Sequence, residues 1–303
     1  MRLPILLAAA CVLSTPALAC DMCKDKNHDH GPGHEHAHEQ KIDGKVILER
    51  GTNKVETTTT EMSVPAQAAP IAALALAPTA HWGYGGGGKP SSWGSLDKAN
   101  AACSAGLAQS PVNITQFLKS DQPDITFDYK DIPLSVKNAG HGIEITVPAG
   151  SKATLGGKVY ELISIDFHTP SEHYMDGAPY PMEAHFLHKG EKGEVAILST
   201  LVKLGKANDT VGKIWGQIPV EIGAENAASE GSVISAYDLL PGKPEYFTYE
   251  GSLTAPPCTE GVTWFVMQQP IEISQEQLAA IQNLFPMNAR PLQPLNGRMI
   301  NGD

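Results

Sequence analysis

Acidic and imidazole side chains concentrate in two short stretches of the chain. The first is IDFHTPSEH at residues 165–173, and the second is MEAHFLH at residues 182–188. Because side chains alternate across a strand, Asp166 and His168 would share one face, and His185 on a neighbouring strand could point to the same place. Three nitrogen or oxygen ligands with a fourth position left open are the arrangement of a catalytic zinc ion. The pattern therefore makes these three residues a candidate zinc centre.

The surrounding sequence predicts a mostly β domain that would carry these residues. From residue 81 onward, short alternating segments are divided by Gly, Pro, Asn and Asp, as is typical of strands and turns. The predicted strands are Val136–Lys137, Ile143–Val147, Lys158–His168, Met182–His188, Val195–Leu204 and Val262–Gln268. Helices are predicted over Asp209–Gln217 and Ser274–Leu284, and the second opens with a capping-box pattern. Taken alone, histidines on strands are more often packing or surface residues than ligands.

Composition excludes several classes of protein. The chain has 303 residues, with 22 Lys+Arg against 33 Asp+Glu and a net charge of −11. Recognition of nucleic-acid phosphates needs a basic surface, so no nucleic-acid partner is expected. Hydrophobic residues make up 42% and charged residues 18%, which is ordinary for a globular chain. The 29 glycines and 23 prolines, with 6% aromatic residues, favour a turn-rich fold over a helical bundle or coiled coil.

Residues 1–19 are predicted to be an export signal peptide. Arg2 supplies a positive end, residues 3–13 form a short apolar stretch, and Ala17-Leu18-Ala19 offers the small-x-small cleavage pattern. The apolar stretch is too short for a permanent membrane helix. Because Cys20 follows at once, a competing hypothesis is lipoprotein cleavage with a lipid anchor on Cys20. In both cases the mature chain would be periplasmic or secreted.

Residues 20–80 differ sharply from the rest of the chain and are predicted to be disordered. Five histidines lie within residues 28–38 among glycine, proline and acidic residues, with almost nothing apolar to bury. Clustered imidazoles bind zinc, copper or nickel loosely, so this segment is a candidate for holding extra metal ions. The alternative is a solubilising tail with no ligand. The Thr-, Ala- and Pro-rich stretch that follows is typical of a linker to a single domain over residues 81–303.

Four cysteines remain once the predicted signal, which includes Cys11, is removed. They are Cys20, Cys23, Cys103 and Cys258, an even number in an oxidising compartment. A bridge between Cys103 and Cys258 would close a loop of roughly 155 residues and contribute about 4 to 5 kcal/mol on the chain-entropy model. Cys20 and Cys23 could pair with each other or bind metal.

Four blocks of sequence, in the same order along the chain, resemble one known family. The blocks are HWGY at 81–84, QSPVNI at 109–114, TPSEH at 169–173 and GSLTAPPCTEGVTW at 251–264. On these motifs, residues 81–303 resemble a bacterial, exported α-class carbonic anhydrase. The resemblance implies an α+β, mostly β fold, in which a large, twisted, mainly antiparallel sheet with peripheral short helices forms a single catalytic domain. It also implies zinc-dependent, reversible hydration of carbon dioxide to bicarbonate and a proton.

The resemblance assigns three metal ligands, one of which departs from the family pattern. His168 and His185 match the second and third zinc ligands, and Glu183 matches the carboxylate that orients the third. The family places histidine at all three ligand positions, whereas the first position here is Asp166. A carboxylate is a legitimate zinc ligand, but its oxygen lies nearer the backbone than the outer imidazole nitrogen by roughly 1 Å. The anion also removes one positive charge from the site, so weaker zinc binding and a less acidic bound water are expected.

Further side chains match groups that handle protons and substrate in the family. Thr254 matches a hydroxyl that orients the attacking oxygen and passes its own proton to the carboxylate matched by Glu172. His141 matches the proton shuttle, for which an unperturbed imidazole pKa near 6.5 would suit relay at neutral pH. The side chains that match the apolar wall around carbon dioxide are Leu187, Ile197, Leu253, Val262 and Trp264. Cys103 and Cys258 match a disulfide that is common in bacterial members.

Other polar residues near these motifs are expected to be structural. His173 and His188 would be core or supporting residues rather than metal ligands. Asn113, Asn208 and Asn288 would lie in turns. None of these five residues is assigned a chemical role.

The altered first ligand position leaves two functions in competition. One is a zinc lyase whose substrates are carbon dioxide and bicarbonate. The other is a catalytically weak or inactive relative that binds or buffers zinc through the histidine-rich tail and the site that contains Asp166. The sequence indicates no oligomeric state.

Overall fold

The structure, a computed structural model, describes residues 82–227 and 231–303. The predicted export signal over 1–19, the histidine-rich segment and linker over 20–80, and the candidate lipid site Cys20 lie outside the described residues. Within the described ranges, no helix is both long enough and apolar enough to cross a membrane. All of the described residues belong to one compact unit of the chain.

Short strands dominate the described chain, and four short α-helices accompany them. The strands are β1 (Asn113–Ile114), β2 (Leu118–Lys119), β3 (Thr126–Asp128), β4 (Ile132–Pro133), β5 (Ser135–Asn138), β6 (Ile143–Thr146), β7 (Lys152–Leu155), β8 (Lys158–His168), β9 (Tyr174–Met175), β10 (Ala178–Pro179), β11 (Met182–Gly190), β12 (Val195–Leu204), β13 (Glu225–Ala227), β14 (Val233–Ile234), β15 (Tyr246–Ser252), β16 (Glu260–Met267), β17 (Ile271–Ile273) and β18 (Asn301–Gly302). The helices are α1 (Trp93–Leu96), α2 (Ala102–Ala105), α3 (Asp209–Trp215) and α4 (Gln275–Leu284). The predicted α+β, mostly β fold is confirmed.

Thirteen of these strands form one large sheet, whose main order is β13-β5-β6-β8-β11-β12-β16-β15-β18-β2. The centre of the sheet is antiparallel, since β8 pairs with both β6 and β11, and β11 pairs with β12. Parallel pairs occur where β12 meets β16 and β17, and where β18 meets β2. The large sheet is thus mainly antiparallel, as predicted, with a few parallel pairs. The parallel neighbours β12 and β16 are joined by a long connection that includes α3 and β15.

The two faces of the central strands pack against different cores. Ile165 and Phe167 on β8, with Phe186 on β11, lie in the larger hydrophobic core. Trp264 and Val266 on β16 lie in a second, smaller core on the opposite face. Because side chains alternate along a strand, the polar residues of β8 and β11 project from the opposite face, which also carries the smaller core.

The two longer helices begin where the sequence predicts. Ser274 accepts a hydrogen bond from the backbone N–H of Gln277, whose side chain bonds back to the Ser274 backbone, so the capping box of α4 is confirmed. Asn208 accepts from the backbone N–H of Val211 and caps α3. Asn208, which was expected to lie in a turn, is a non-helical residue ahead of α3, and its side chain satisfies the helix N-terminus.

The predicted bridge between Cys103 and Cys258 is formed, with the two Cα atoms 5.0 Å apart. Both cysteines pack against Trp93, which is fully buried, in a small cluster next to the first helices. The bridge joins the start of the described chain to the loop that follows β15.

Candidate metal centre and its cavity

The three predicted ligands converge on the face of the sheet that carries the smaller core. In the register of β8 and β11, Asp166 lies opposite His185, and His168 lies opposite Glu183. Directly opposed residues of an antiparallel pair project from the same face. The structure therefore places Asp166, His168 and His185 together, as expected from strand alternation.

The spacing of the donor atoms suits a divalent transition metal. Oδ2 of Asp166 lies 2.9 Å from Nε2 of His168 and 3.7 Å from Nδ1 of His185. One donor atom from each residue lies within 4.8 Å of the others. Bonds of 2.0–2.2 Å in a tetrahedron place donors about 3.3 to 3.6 Å apart, a range between the two measured distances. These two imidazoles and one carboxylate fit such an ion.

Each imidazole is oriented through its other nitrogen. His168 donates from Nδ1 to the backbone carbonyl of Asn288 over 2.8 Å, which leaves Nε2 facing the centre. Nε2 of His185 lies 3.0 Å from Oε1 of Glu183, a close contact whose angle falls outside hydrogen-bond geometry. The free nitrogen of His185 is Nδ1, which faces Asp166. Such outer partners fix ring orientation and leave one nitrogen for a metal.

Asn288 was wrongly expected to be a turn residue. Its side chain accepts from the backbone N–H of Thr169 over 2.7 Å and donates to the carbonyl of Phe167 over 2.8 Å, while its own carbonyl holds His168. Three hydrogen bonds with Asn288 therefore hold the second ligand, His168, and the backbone on either side of it. The sequence carries no local signal for this role, because residue 288 is 120 positions away from His168.

The charge of the neighbouring acids acts strongly on His168. Burial alone would lower the pKa of this imidazole, but the carboxylate of Glu172 and the hydrogen bond that His168 donates to Asp166 outweigh burial and raise the pKa to about 10. In the absence of metal, His168 is therefore protonated at neutral pH and ion-paired with Asp166. A metal ion that binds Nε2 must displace this proton.

Glu172 is fully buried beside the centre. Its Oε1 accepts from the backbone N–H of Arg290 over 2.7 Å. Its Oε2 has no hydrogen-bond partner within the described part of the chain and lies 3.9 Å from Nδ1 of His185. The hydrogen bond from Thr254 that the resemblance implies is not formed here, although Thr254 lines the same cavity. Glu172 thus keeps one acceptor oxygen free at the metal centre.

Glu183 is held rigidly under His185. It is fully buried and accepts hydrogen bonds from the backbone N–H groups of Glu172 and His173, from Nδ1 of His173 and from the hydroxyl of Ser199. Burial alone would raise the pKa of Glu183, but the charges of His173 and His185, together with the hydrogen bond from His173, hold it well below its usual range. The carboxylate is therefore ionised and fixed.

His173 and His188 are buried supporting residues, as expected. His173 bridges Glu183 and the hydroxyl of Tyr249, with the two bonds each 2.7 Å long. His173, Glu183 and His185 also lie close enough to form a second three-donor group. Both nitrogens of His173 are already committed to hydrogen bonds, so this group acts as a support for His185. His188 bonds to Tyr129 on the larger core and takes no part in the centre.

A cavity of about 200 Å³ opens onto the metal centre. Leu187, Ile197 and Leu253 line it, as the resemblance predicts for an apolar wall. Val262 and Trp264 do not line it; both are completely buried in the smaller core. The two residues were predicted on the wall but lie one layer behind it. The Trp264 ring packs against His185, with 4.9 Å between the ring centroids.

His141 lines the cavity in a covered position. Its ring lies against that of Trp82, with 3.9 Å between the centroids. Burial, and then the charge of His168, lower the pKa of His141 to about 4. The expected imidazole pKa near 6.5 does not hold in this arrangement, because burial and the positive charge of His168 both disfavour a proton on the ring.

Comparison with known proteins agrees with this architecture. The family model for eukaryotic-type carbonic anhydrase matches residues 88–302. A carbonic anhydrase of Neisseria gonorrhoeae is 39% identical over 222 residues, which cover 73% of this chain and 87% of that protein. The solved structure of α-carbonic anhydrase from Thermovibrio ammonificans, in complex with the inhibitor sulfanilamide, has a TM-score of 0.70 and 37% identity, covering 73% of this chain and 99% of that one.

A further similar structure comes from a protein with a different name. Dioscorin complexed with ascorbate has a TM-score of 0.68 and 28% identity, covering 74% of this chain and 98% of that one. The family model spans most of the described residues, and the relative from N. gonorrhoeae is matched over most of its length. This chain therefore belongs to the α-class carbonic anhydrase family.

Proposed function

We propose that the protein catalyses the zinc-dependent, reversible hydration of carbon dioxide to bicarbonate and a proton. The observation that carries this proposal is the convergence of Asp166, His168 and His185 at a cavity with an apolar wall. These three residues would hold the metal through Oδ2, Nε2 and Nδ1. When bound, zinc would act as a Lewis acid that makes water nucleophilic at neutral pH.

The apolar wall would hold carbon dioxide beside the reacting water. Leu187, Ile197 and Leu253 offer no hydrogen bonds, so they suit a small neutral molecule and exclude excess water. Val262 and Trp264 support this wall from behind without touching substrate. A substrate held there needs no charge to bind.

Thr254 and Glu172 would orient the attacking oxygen. Glu172 is buried, and its Oε2 keeps a free acceptor position, so it could accept a hydrogen bond from the Thr254 hydroxyl. With its one hydrogen directed at Glu172, the Thr254 hydroxyl would be an acceptor toward the attacking oxygen. Glu183 would act further out, by holding the ring of His185.

Proton export through His141 is the step that the present arrangement favours least. A relay group works best when its pKa is near the operating pH, and burial together with the charge of His168 lowers the pKa of His141 to about 4. His141 would have to leave Trp82 to serve as a shuttle. While His141 stays beside Trp82, a buffer molecule that enters the cavity would remove the proton released by hydration.

The second candidate is a weak or inactive relative that binds or buffers zinc. The observation in its favour is the ion pair between Asp166 and protonated His168, which competes with metal. Dioscorin, whose solved structure contains ascorbate, shows that the fold also occurs under another name. Metal buffering would draw on the five histidines of residues 28–38, which lie outside the described part of the chain.

Stopped-flow measurement of carbon dioxide hydration, with zinc content measured on the same sample, tests the proposed activity. A zinc-loaded protein should hydrate carbon dioxide faster than buffer alone, and a chelated sample should not. A rate equal to that of buffer in a fully loaded sample would contradict the enzyme and favour the zinc-buffering candidate.

The proposed place of action is outside the cytoplasm, in the periplasm or secreted medium. Support comes from the signal-like residues 1–19 and from the Cys103–Cys258 bridge, since structural disulfides persist in oxidising compartments. A lipid anchor on Cys20 remains the competing form of the mature protein. Mass measurement of the mature N-terminus separates the two, because acylation of Cys20 adds the mass of the lipid.

A further inference from the structure

Glu144 lies on the cavity wall beside the candidate metal centre. It belongs to β6, where its register partner on β8 is Asp166. The two side chains therefore project from the same face of the sheet, and both line the cavity. Glu144 is half-buried, so its carboxylate is partly shielded from bulk water. Two carboxylates thus stand side by side on one wall.

The charges around Glu144 make this wall acidic. No lysine or arginine is among the residues that line the cavity in the described ranges. Burial raises the pKa of Glu144, and Asp166 and Glu225 add to the increase, while Lys137 opposes it. Lys137 lies on β5 and is the register partner of Glu144 there. In the sheet, β5 flanks β6 on the side opposite β8, which carries Asp166. Lys137 is not among the residues that line the cavity, and the two acids influence each other on its wall.

We propose that Glu144 is a specificity-determining residue that disfavours anions in the cavity and leaves neutral carbon dioxide unaffected. This inference rests on the proposed function, because it assigns a role in choosing between the two substrates. Bicarbonate and inhibitory anions must approach the metal past Glu144 and Asp166 and are repelled by both. Carbon dioxide has no net charge, so the same wall does not repel it.

The size of the effect follows from the geometry of neighbouring strands. A carboxylate on the wall and an anion at the centre would be separated by several ångströms in a partly shielded cavity. Coulomb's law with an effective dielectric between that of protein and water gives a change of about fivefold in anion affinity for one unit charge. Removal of the charge on Glu144 should therefore be measurable without any change in the fold.

A titration of the cobalt-substituted protein with thiocyanate tests the inference through visible absorption, without reference to turnover. At about pH 8.5, which is well above the usual range of carboxyl pKa values, Glu144→Gln should bind thiocyanate about fivefold more tightly than the unaltered protein. Glu144→Thr should behave in the same way, and Glu144→Asp, which keeps the charge, should not. Glu191→Gln is the matched control, since it removes the same charge from an exposed position outside the cavity.

Steady-state kinetics provide the second measurement. The KM for bicarbonate should fall in Glu144→Gln, while the KM for carbon dioxide stays unchanged.

Thiocyanate affinity that stays within twofold of the unaltered protein in both charge-removing variants would overturn the inference, as would failure of the unaltered protein to bind cobalt. A protein that binds cobalt but does not hydrate carbon dioxide would contradict only the proposed function, because the titration still decides the role of Glu144.

Discussion

Asp166 is the anionic member of the candidate metal centre, and its charge acts on both neighbouring imidazoles. It is 35% exposed in its side chain, whereas the side chains of His168 and His185 are 8% and 3% exposed. The carboxylate can therefore turn toward water or toward His168, as it does here over 2.9 Å. A shorter, partly exposed ligand is expected to hold a metal less firmly than a packed imidazole.

Replacement of this acid by the longer neutral ring tests its role. Asp166→His should raise zinc retention by on the order of tenfold, equivalent to about 1.4 kcal/mol, because it removes the competing ion pair with His168. Hydration turnover should rise with it, since the metal regains one unit of positive charge. Competition with a chelating dye measures retention, and stopped-flow hydration measures turnover.

The control for this substitution adds a histidine elsewhere. Asp131→His places an imidazole at an exposed position outside the cavity and should change neither quantity. If Asp166→His also left zinc retention and turnover unchanged, Asp166 would not be a metal ligand.

His141 offers a second prediction at the scale of single residues. With its pKa lowered to about 4, the imidazole carries a proton in on the order of one molecule in a thousand at neutral pH. His141→Ala should therefore change the hydration rate by less than about twofold in dilute buffer. Stopped-flow measurements with and without added imidazole would check this. A loss of about tenfold that imidazole buffer restores would show that His141 leaves Trp82 and relays protons.

Among the secondary-structure elements, those with simple periodicity could be predicted from the sequence. The bounds of β8 and β12 coincide with the predicted strands Lys158–His168 and Val195–Leu204, because both are long and bounded by turn residues. The capping box placed α4 equally well. In contrast, β15 was not predicted, because Tyr246–Ser252 contains a glycine and polar residues with no clean alternation.

Register and long-range pairing set the limit of prediction for the site. Alternation placed Asp166, His168 and His185 on common faces, but only the pairing of β6 with β8 shows that Glu144 lies beside Asp166. The contact of Asn288 with His168 likewise depends on where the chain returns after α4. Such contacts join residues far apart in sequence, and no local pattern encodes them.

Across the whole molecule, one buried arginine links the disulfide to the metal centre. The guanidinium of Arg290 donates to the backbone carbonyls of Cys103 and Ser110, over 2.9 and 2.7 Å. Its backbone N–H donates to Glu172 over 2.7 Å. Because Arg290 is only 3% exposed, these bonds tie the segment around Cys103 to an acid beside the centre.

Loss of the Cys103–Cys258 bridge should therefore affect both stability and the site. The bridge closes a loop of 155 residues, so its removal frees the unfolded chain and should cost about 2 to 5 kcal/mol of unfolding free energy. Thermal and denaturant unfolding of the Cys103→Ala, Cys258→Ala double variant would measure this loss. Cys20→Ala with Cys23→Ala serves as the matched control, because it removes two cysteines without touching the bridge. An equal melting temperature for both double variants would mean that the packing around Trp93, rather than the bridge, holds the two segments together.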